Sequence, residues 1–108
     1  MRIALISFGV ALIGTVVLAQ NPDAGRQTFV SRCAGCHGTD GNGGELGPNI
    51  ATRVPSRTDQ DLTTVLRQGL TAAGMPAFAN LSESETAELI QFLRLHFCNI
   101  MAQQSNFA

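Results

Sequence analysis

Two thiols and an imidazole stand within five residues of one another at Cys33-Ala34-Gly35-Cys36-His37. In a C-x-x-C-H run each thiol can add to one vinyl group of a porphyrin, and the adjacent imidazole can then ligate its iron from one side. A thioether persists when axial ligands exchange, so a cofactor held this way cannot diffuse out of the chain. Ala34 and Gly35 are small and let the backbone approach a ring edge. Three other chemistries compete for the same residues. A disulfide between Cys33 and Cys36 closes a tiny, strained loop and stabilises little. A thioredoxin-type redox pair needs a βαβ setting, and no alternating apolar strand precedes the motif. A zinc site needs four ligands, and outside the motif His96 and Cys98 are the residues available to complete it.

An iron held by His37 also needs a donor on its other side. Gly74-Met75-Pro76-Ala77-Phe78 offers one. Pro76 biases Met75 away from helical geometry, and Gly74 lets the chain pass close to a neighbour, so the thioether is presented from an irregular loop. A thioether opposite an imidazole favours ferrous iron and raises the reduction potential. In an arbitrary protein Met75 is a core filler. Here it has little competition, since Met1 sits in an apolar leader and Met101 falls in a polar tail beyond the last helix. His96 is the rival ligand, and its place near a helix C-terminus, where a cation meets the dipole, is an adequate structural reason for it. Met75 is the favoured ligand.

The elements that must position these groups are few. Residues 1–19 carry one charge, Arg2, then an apolar run ending in Val17-Leu18-Ala19, the pattern of a secretory signal peptide. An uncleaved anchor is the alternative, but no basic stop-transfer flank follows. With no Cys just after the leader, a lipoprotein anchor is disfavoured. The remaining chain has no Trp, Tyr or Lys, and its six Arg and eight carboxylates leave a weak negative charge. That field suits neither nucleic acid nor an anionic membrane as partner. So short a chain needs a disulfide, metal or cofactor to complete its core. Asn21-Pro22-Asp23 starts a helix reaching about Arg32, with Phe29 and Val30 inward. Gly38 to Gly47 is a glycine-rich loop. Its Asp40, Asn42 and Glu45 miss the calcium-loop spacing and read as a solvated turn. Thr58 caps a helix from Asp59 to about Gln68 with Leu62, Val65 and Leu66 on one face and Gly69 as its stop. Ser82 and Glu85 form a capping box for a helix from Glu83 to about Phe97, apolar at Leu89, Ile90, Leu93 and Phe97. Nothing reads as a strand. The expected class is all-α, with residues 1–19 a leader, 20–97 one domain and 98–108 a polar tail.

From about Pro22 to Arg94 the chain resembles a class I cytochrome c, in particular the short periplasmic cytochromes and the cytochrome domains found with quinoprotein alcohol dehydrogenases. The features that carry the resemblance are Cys33 to Gly38, Leu46-Gly47-Pro48-Asn49, Gly74 to Phe78 and the helix Leu89-Ile90-Gln91-Phe92-Leu93-Arg94. The resemblance implies a small cytochrome c fold of three to four helices around one covalent haem c, with His37 and Met75 as axial ligands. It also implies that the Pro48 carbonyl accepts a hydrogen bond from His37, and that Gly25 and Phe29 cross the last helix at Leu89 and Phe92. Arg53 and Arg57 become candidates to pair with the haem propionates, against the alternative that both are merely exposed charges. The departures are the continuation past Arg94, the unassigned Cys98, and the lack of the Trp and Tyr groups that often bond propionates.

A chain of this kind is expected to be a periplasmic single-electron carrier rather than an enzyme. With both axial positions filled, transfer is expected instead of oxygen activation. Partners are redox proteins (a dehydrogenase, a quinol-oxidising complex or a terminal oxidase), docking weakly on a patch including Gly35, Ala77 and Phe78. Two readings stay open beside it: an electron-accepting subunit of a quinoprotein dehydrogenase, and, if the Met75 bond is labile, a haem-based gas sensor or weak peroxidase.

Overall fold

The computed structural model describes residues 14 and 21–105. Apart from Gly14, the leader expected over residues 1–19 lies outside the described residues. Helix α1, Pro22–Arg32, begins where the Asn21 side chain accepts the Asp23 N–H at 3.0 Å, and Pro22 brings a pre-set φ to its first position. Cys33 ends it, its N–H bonded to the Phe29 carbonyl, and the chain turns at once into a one-turn helix α2, Ala34–His37. Helix α3, Asp59–Gln68, opens on a reciprocal capping box between Thr58 and Asp61. The Thr58 hydrogen bonds hold the Asp61 carboxyl below its ordinary pKa. Helix α4, Glu83–Ser105, opens on the expected box, with Ser82 N–H on Glu85 Oε2 at 2.8 Å and Glu85 N–H on Ser82 Oγ at 3.1 Å. Two 3₁₀ turns, Val54–Ser56 and Thr71–Ala73, interrupt the connections. The sole extended pairing among the described residues is an isolated bridge between Leu70 and Met75. The class is all-α, as expected.

Two readings need correction. Val30, expected inward beside Phe29, is 52% exposed. One residue advances a helix by about 100°, so a neighbour of a buried position can be carried round to solvent. The last helix does not stop near Phe97 but runs to Ser105, so Met101 lies within α4. The apolar spacing ends near Phe97, yet no glycine or proline follows to end the helix.

The core is built where α1 crosses α4. Phe29, Leu89 and Phe97 are fully buried there, joined by Val54, Leu62, Leu66, Leu81, Ile90 and Leu93. The Phe29 ring lies 5.4 Å from Phe92 and meets Phe97 edge-on at 6.2 Å, spacings at which aromatic pairs attract. Gly25 makes the crossing close. A methyl group there would overlap the Glu88 carbonyl and stand 2.9 Å from Phe92 Cβ. Alanine at Gly25 gains up to about 1 kcal/mol of helix propensity, but a clash with backbone must be relieved by moving a whole helix. Gly25→Ala is therefore expected to lower stability by about 2 kcal/mol, read as a lower urea midpoint at unchanged slope. An unchanged midpoint would show that the two helices can part without loss.

Candidate haem-binding site

His37 closes α2 and is buried, 9% exposed. Its Nδ1 lies 2.8 Å from the Pro48 carbonyl oxygen. A carbonyl only accepts, so Nδ1 carries the proton and donates, which leaves the Nε2 lone pair available to a metal. The loop after the motif is folded to bring Pro48 there. Gly43 N–H bonds back to the His37 carbonyl at 2.8 Å, and Gly44 N–H to the Gly47 carbonyl at 3.0 Å. Asp40 and Asn42, weighed as calcium ligands, instead bond each other: Asp40 Oδ1 accepts the Asn42 N–H and Oδ2 its amide. Those bonds hold the Asp40 carboxyl below its ordinary pKa.

Of the two motif thiols, Cys33 is half-buried and Cys36 exposed. Burial, reinforced by the neighbouring Cys36 and opposed by Arg32, pushes the Cys33 thiol up to about 11. Among the described residues no three His, Cys, Asp or Glu side chains are grouped to hold a metal ion. His96 stacks on Phe92 at 5.3 Å and meets the Phe97 edge at 5.0 Å, and Cys98 is exposed. The set that a zinc reading requires is not assembled.

Met75 sits on a strap tied at both ends. Leu70 N–H donates to the Met75 carbonyl at 3.0 Å and Met75 N–H to the Leu70 carbonyl at 3.1 Å, while Phe78 N–H reaches the Leu66 carbonyl of α3 at 2.8 Å. Gly69 lets the strap press against the end of α3. Its φ is +68°, and a Cβ there would stand 2.6–2.8 Å from the backbone of Met75, Pro76 and Ala77, so both conformation and space call for glycine. The thioether is thus presented from a rigid, non-helical segment.

These groups face one space. A cavity of about 910 Å³, counting the part open to solvent, is lined by Cys33, His37 and Pro48 together with Met75 and Ala73. Phe29, Leu62, Val65, Leu66 and Leu93 make it apolar, and Arg53 and Arg57 also line it. A second cleft shares Cys33, His37, Pro48 and Met75 and adds Cys36, Leu46 and Phe78. Soft sulfur and imidazole donors, an apolar interior and arginines on the lining suit an iron porphyrin with acidic substituents. The residues present fit the group.

Of the residues singled out from sequence for the site, Cys33, His37, Pro48, Met75, Arg53 and Arg57 line the first cavity, and Cys36 lines the second cleft with Cys33, His37, Pro48 and Met75. Gly35 and Ala77, expected in a docking patch, are exposed, and Phe78 is half-buried. Two contributors have no counterpart among the expected residues. Leu46, beside Cys36 in the second cleft, is 79% exposed. Arg94 of α4 donates from Nη1 to the Val54 carbonyl at 2.7 Å, from Nη2 to the Arg57 carbonyl, and from Nε to Asp59 Oδ1 at 2.9 Å.

The family described as "Cytochrome C oxidase, cbb3-type, subunit III" matches residues 20–93. Cytochrome c55X of Paracoccus denitrificans (strain Pd 1222) is 34% identical over 94 residues, covering 82% of this chain and 88% of that protein. No solved structure matches.

Proposed function

The chain belongs to this family of small c-type cytochrome domains, and from that premise we propose that it is a periplasmic single-electron carrier whose haem iron is held by His37 and Met75. The covalent haem c of the family supplies a one-electron couple. Cys33 and Cys36 would hold the haem through thioethers, and the Pro48 carbonyl, by accepting the hydrogen bond of Nδ1, leaves His37 Nε2 free to ligate an iron. Met75, whose backbone is held by reciprocal bonds with Leu70, would supply the second ligand from a segment that need not move on electron transfer, which would keep reorganisation small. With His37 and Met75 both holding the iron, a gas ligand would have to displace one of them. The apolar walls exclude water and, with the thioether, favour the ferrous state. Arg53 and Arg57 are the candidates to pair with propionates.

The observation that carries this reading is the joint lining of one apolar cavity by two of the three motif donors, Cys33 and His37, and by the tied Met75. Its partners are redox proteins. The description of the matched family as an oxidase subunit supports a terminal oxidase among them. Export is supported by the leader pattern of residues 1–19. No helix among the described residues is long and apolar enough to cross a membrane. The test uses protein from a haem-maturing host. Intact mass is expected to exceed the polypeptide by one haem, with a c-type pyridine haemochrome and, when oxidised, the weak band near the red end of the visible that marks methionine on ferric iron. Absence of that band, with carbon monoxide binding at neutral pH, would overturn His/Met ligation in favour of a gas-binding site.

A further inference from the structure

Residues 50–57 put two arginines on the cavity lining without a long element to hold them. The segment's own bonds are local: the N–H groups of Arg53 and Val54 both reach the Ile50 carbonyl, and Ser56 Oγ bonds the Arg53 carbonyl at 2.8 Å. These shape the turn, and the N–H groups of Ile50 and Ala51 tie its start to the Gly41 carbonyl at 2.8 and 3.2 Å. Val54 enters the core, 4% exposed, as a second anchor. Arg94 holds the later part, from Val54 to Arg57. Its guanidinium spans the turn, taking the carbonyls of Val54 and Arg57 at either end, and continues to Asp59 in the first turn of α3. The residue before it, Leu93, lines the same cavity.

We propose that Arg94 is a positioning residue for electron transfer: by gripping the carbonyls of Val54 and Arg57 it fixes where Arg53 and Arg57 present their charge to the cavity, and thereby holds up the reduction potential of the bound haem. This rests on the reading above, in which the cavity takes a haem. The Arg94 charge itself is matched by Asp59 at 2.8 Å, so its own field at the cavity is largely cancelled and its effect runs through geometry. A guanidinium suits that task, because its planar fork serves several acceptors at fixed angles and an ammonium does not. Positive charge held near a haem disfavours the ferric form. Arg53 and Arg57 are exposed residues at the cavity edge; when the turn loosens, they spend less time there, their field at the haem weakens with distance and screening, and the potential falls.

The experiment measures the midpoint potential of the haem-loaded protein for wild type, Arg94→Gln, Arg94→Lys, the pair Arg53→Gln with Arg57→Gln, and that pair combined with Arg94→Gln. Arg94→Gln is expected to lower the potential while the haem stays covalent and the methionine band persists. Arg94→Lys, which keeps the charge, is expected to restore only part of the shift, and it serves as the folded comparison should the glutamine variant be unstable. In the background lacking Arg53 and Arg57 the shift caused by Arg94→Gln is expected to vanish, since coupled residues are not additive. An unchanged potential in Arg94→Gln, full restoration by lysine, or a shift of equal size in the double background would each overturn the proposal. Failure of the underlying reading is separate: wild type itself would then lack the haem mass or the methionine band.

Discussion

Serine at both Cys33 and Cys36 is expected to give a chain that weighs only its amino acids and no longer unfolds cooperatively. The reason lies in how the core is shared. Phe29, Val54, Leu62, Leu66 and Leu93 belong to the buried cluster and also line the cavity. With nothing in that space, each loses packing atoms on one side, and cavities cost stability in proportion to the volume left unfilled. A domain of this size has roughly 5–15 kcal/mol in hand, and the part of it that comes from contacts with the cofactor is lost with the attachment. The single variants separate the two thiols. Cys33→Ser and Cys36→Ser should each retain haem on one thioether, with a haemochrome band intermediate between the c-type and the unattached form. The check is intact mass together with thermal unfolding followed by circular dichroism. A double variant that folds cooperatively at wild-type temperature without haem would show that the cavity is not an essential part of the core.

The part of the fold legible in the sequence is the part that local chemistry encodes. Thr58 with Asp61 and Ser82 with Glu85 fix two helix starts through side-chain oxygens that bond backbone within three residues, so their spacing alone announces them. The C-x-x-C-H run and the Met75 strap are legible for the same reason. The close crossing at Gly25 and the Pro48 carbonyl on His37 come from the family resemblance, since neither a missing side chain nor a carbonyl acceptor has a signature of its own. Other features have no local signal. Helix α2 is a single turn containing Gly35, too short for any periodicity. The extension of α4 to Ser105 follows from the lack of a stop, which is weaker information than a cap. In the sequence Arg94 is only the last residue of an apolar helix motif. Two of its three acceptors are main-chain carbonyls some forty positions away, and every residue carries a carbonyl, so nothing in their side chains points to it. The sequence sets His96 against a helix dipole, whereas its neighbours are the rings of Phe92 and Phe97. Side-chain patterns reveal contacts that are local or apolar; long-range bonds to backbone must be seen.

Alanine at Met75 is expected to leave the haem attached and the fold standing while removing the ferric–methionine band, opening the iron to carbon monoxide at neutral pH, and lowering the potential by on the order of 0.2 V. Axial ligands move haem potentials over a span of roughly 0.8 V, and a thioether lies toward the upper end because soft sulfur favours ferrous iron. The backbone strap does not depend on the side chain: the two Leu70–Met75 bonds and the Phe78 bond to Leu66 are main-chain throughout, so the loop should keep its course. The attachment residues Cys33 and Cys36 are likewise untouched, and intact mass should change only by the substitution. Two controls assign the effect. His96→Gln and Met101→Leu remove the other candidate donors, and both should retain the band and the potential, since His96 is engaged with Phe92 and Phe97 and Met101 lies far along α4. If the band survives in Met75→Ala and disappears in Met101→Leu, the ligand is on α4 and the strap is only structural. If the potential of Met75→Ala stays within a few hundredths of a volt of wild type, the thioether is not on the iron, and the high-potential carrier gives way to a protein with an open coordination position.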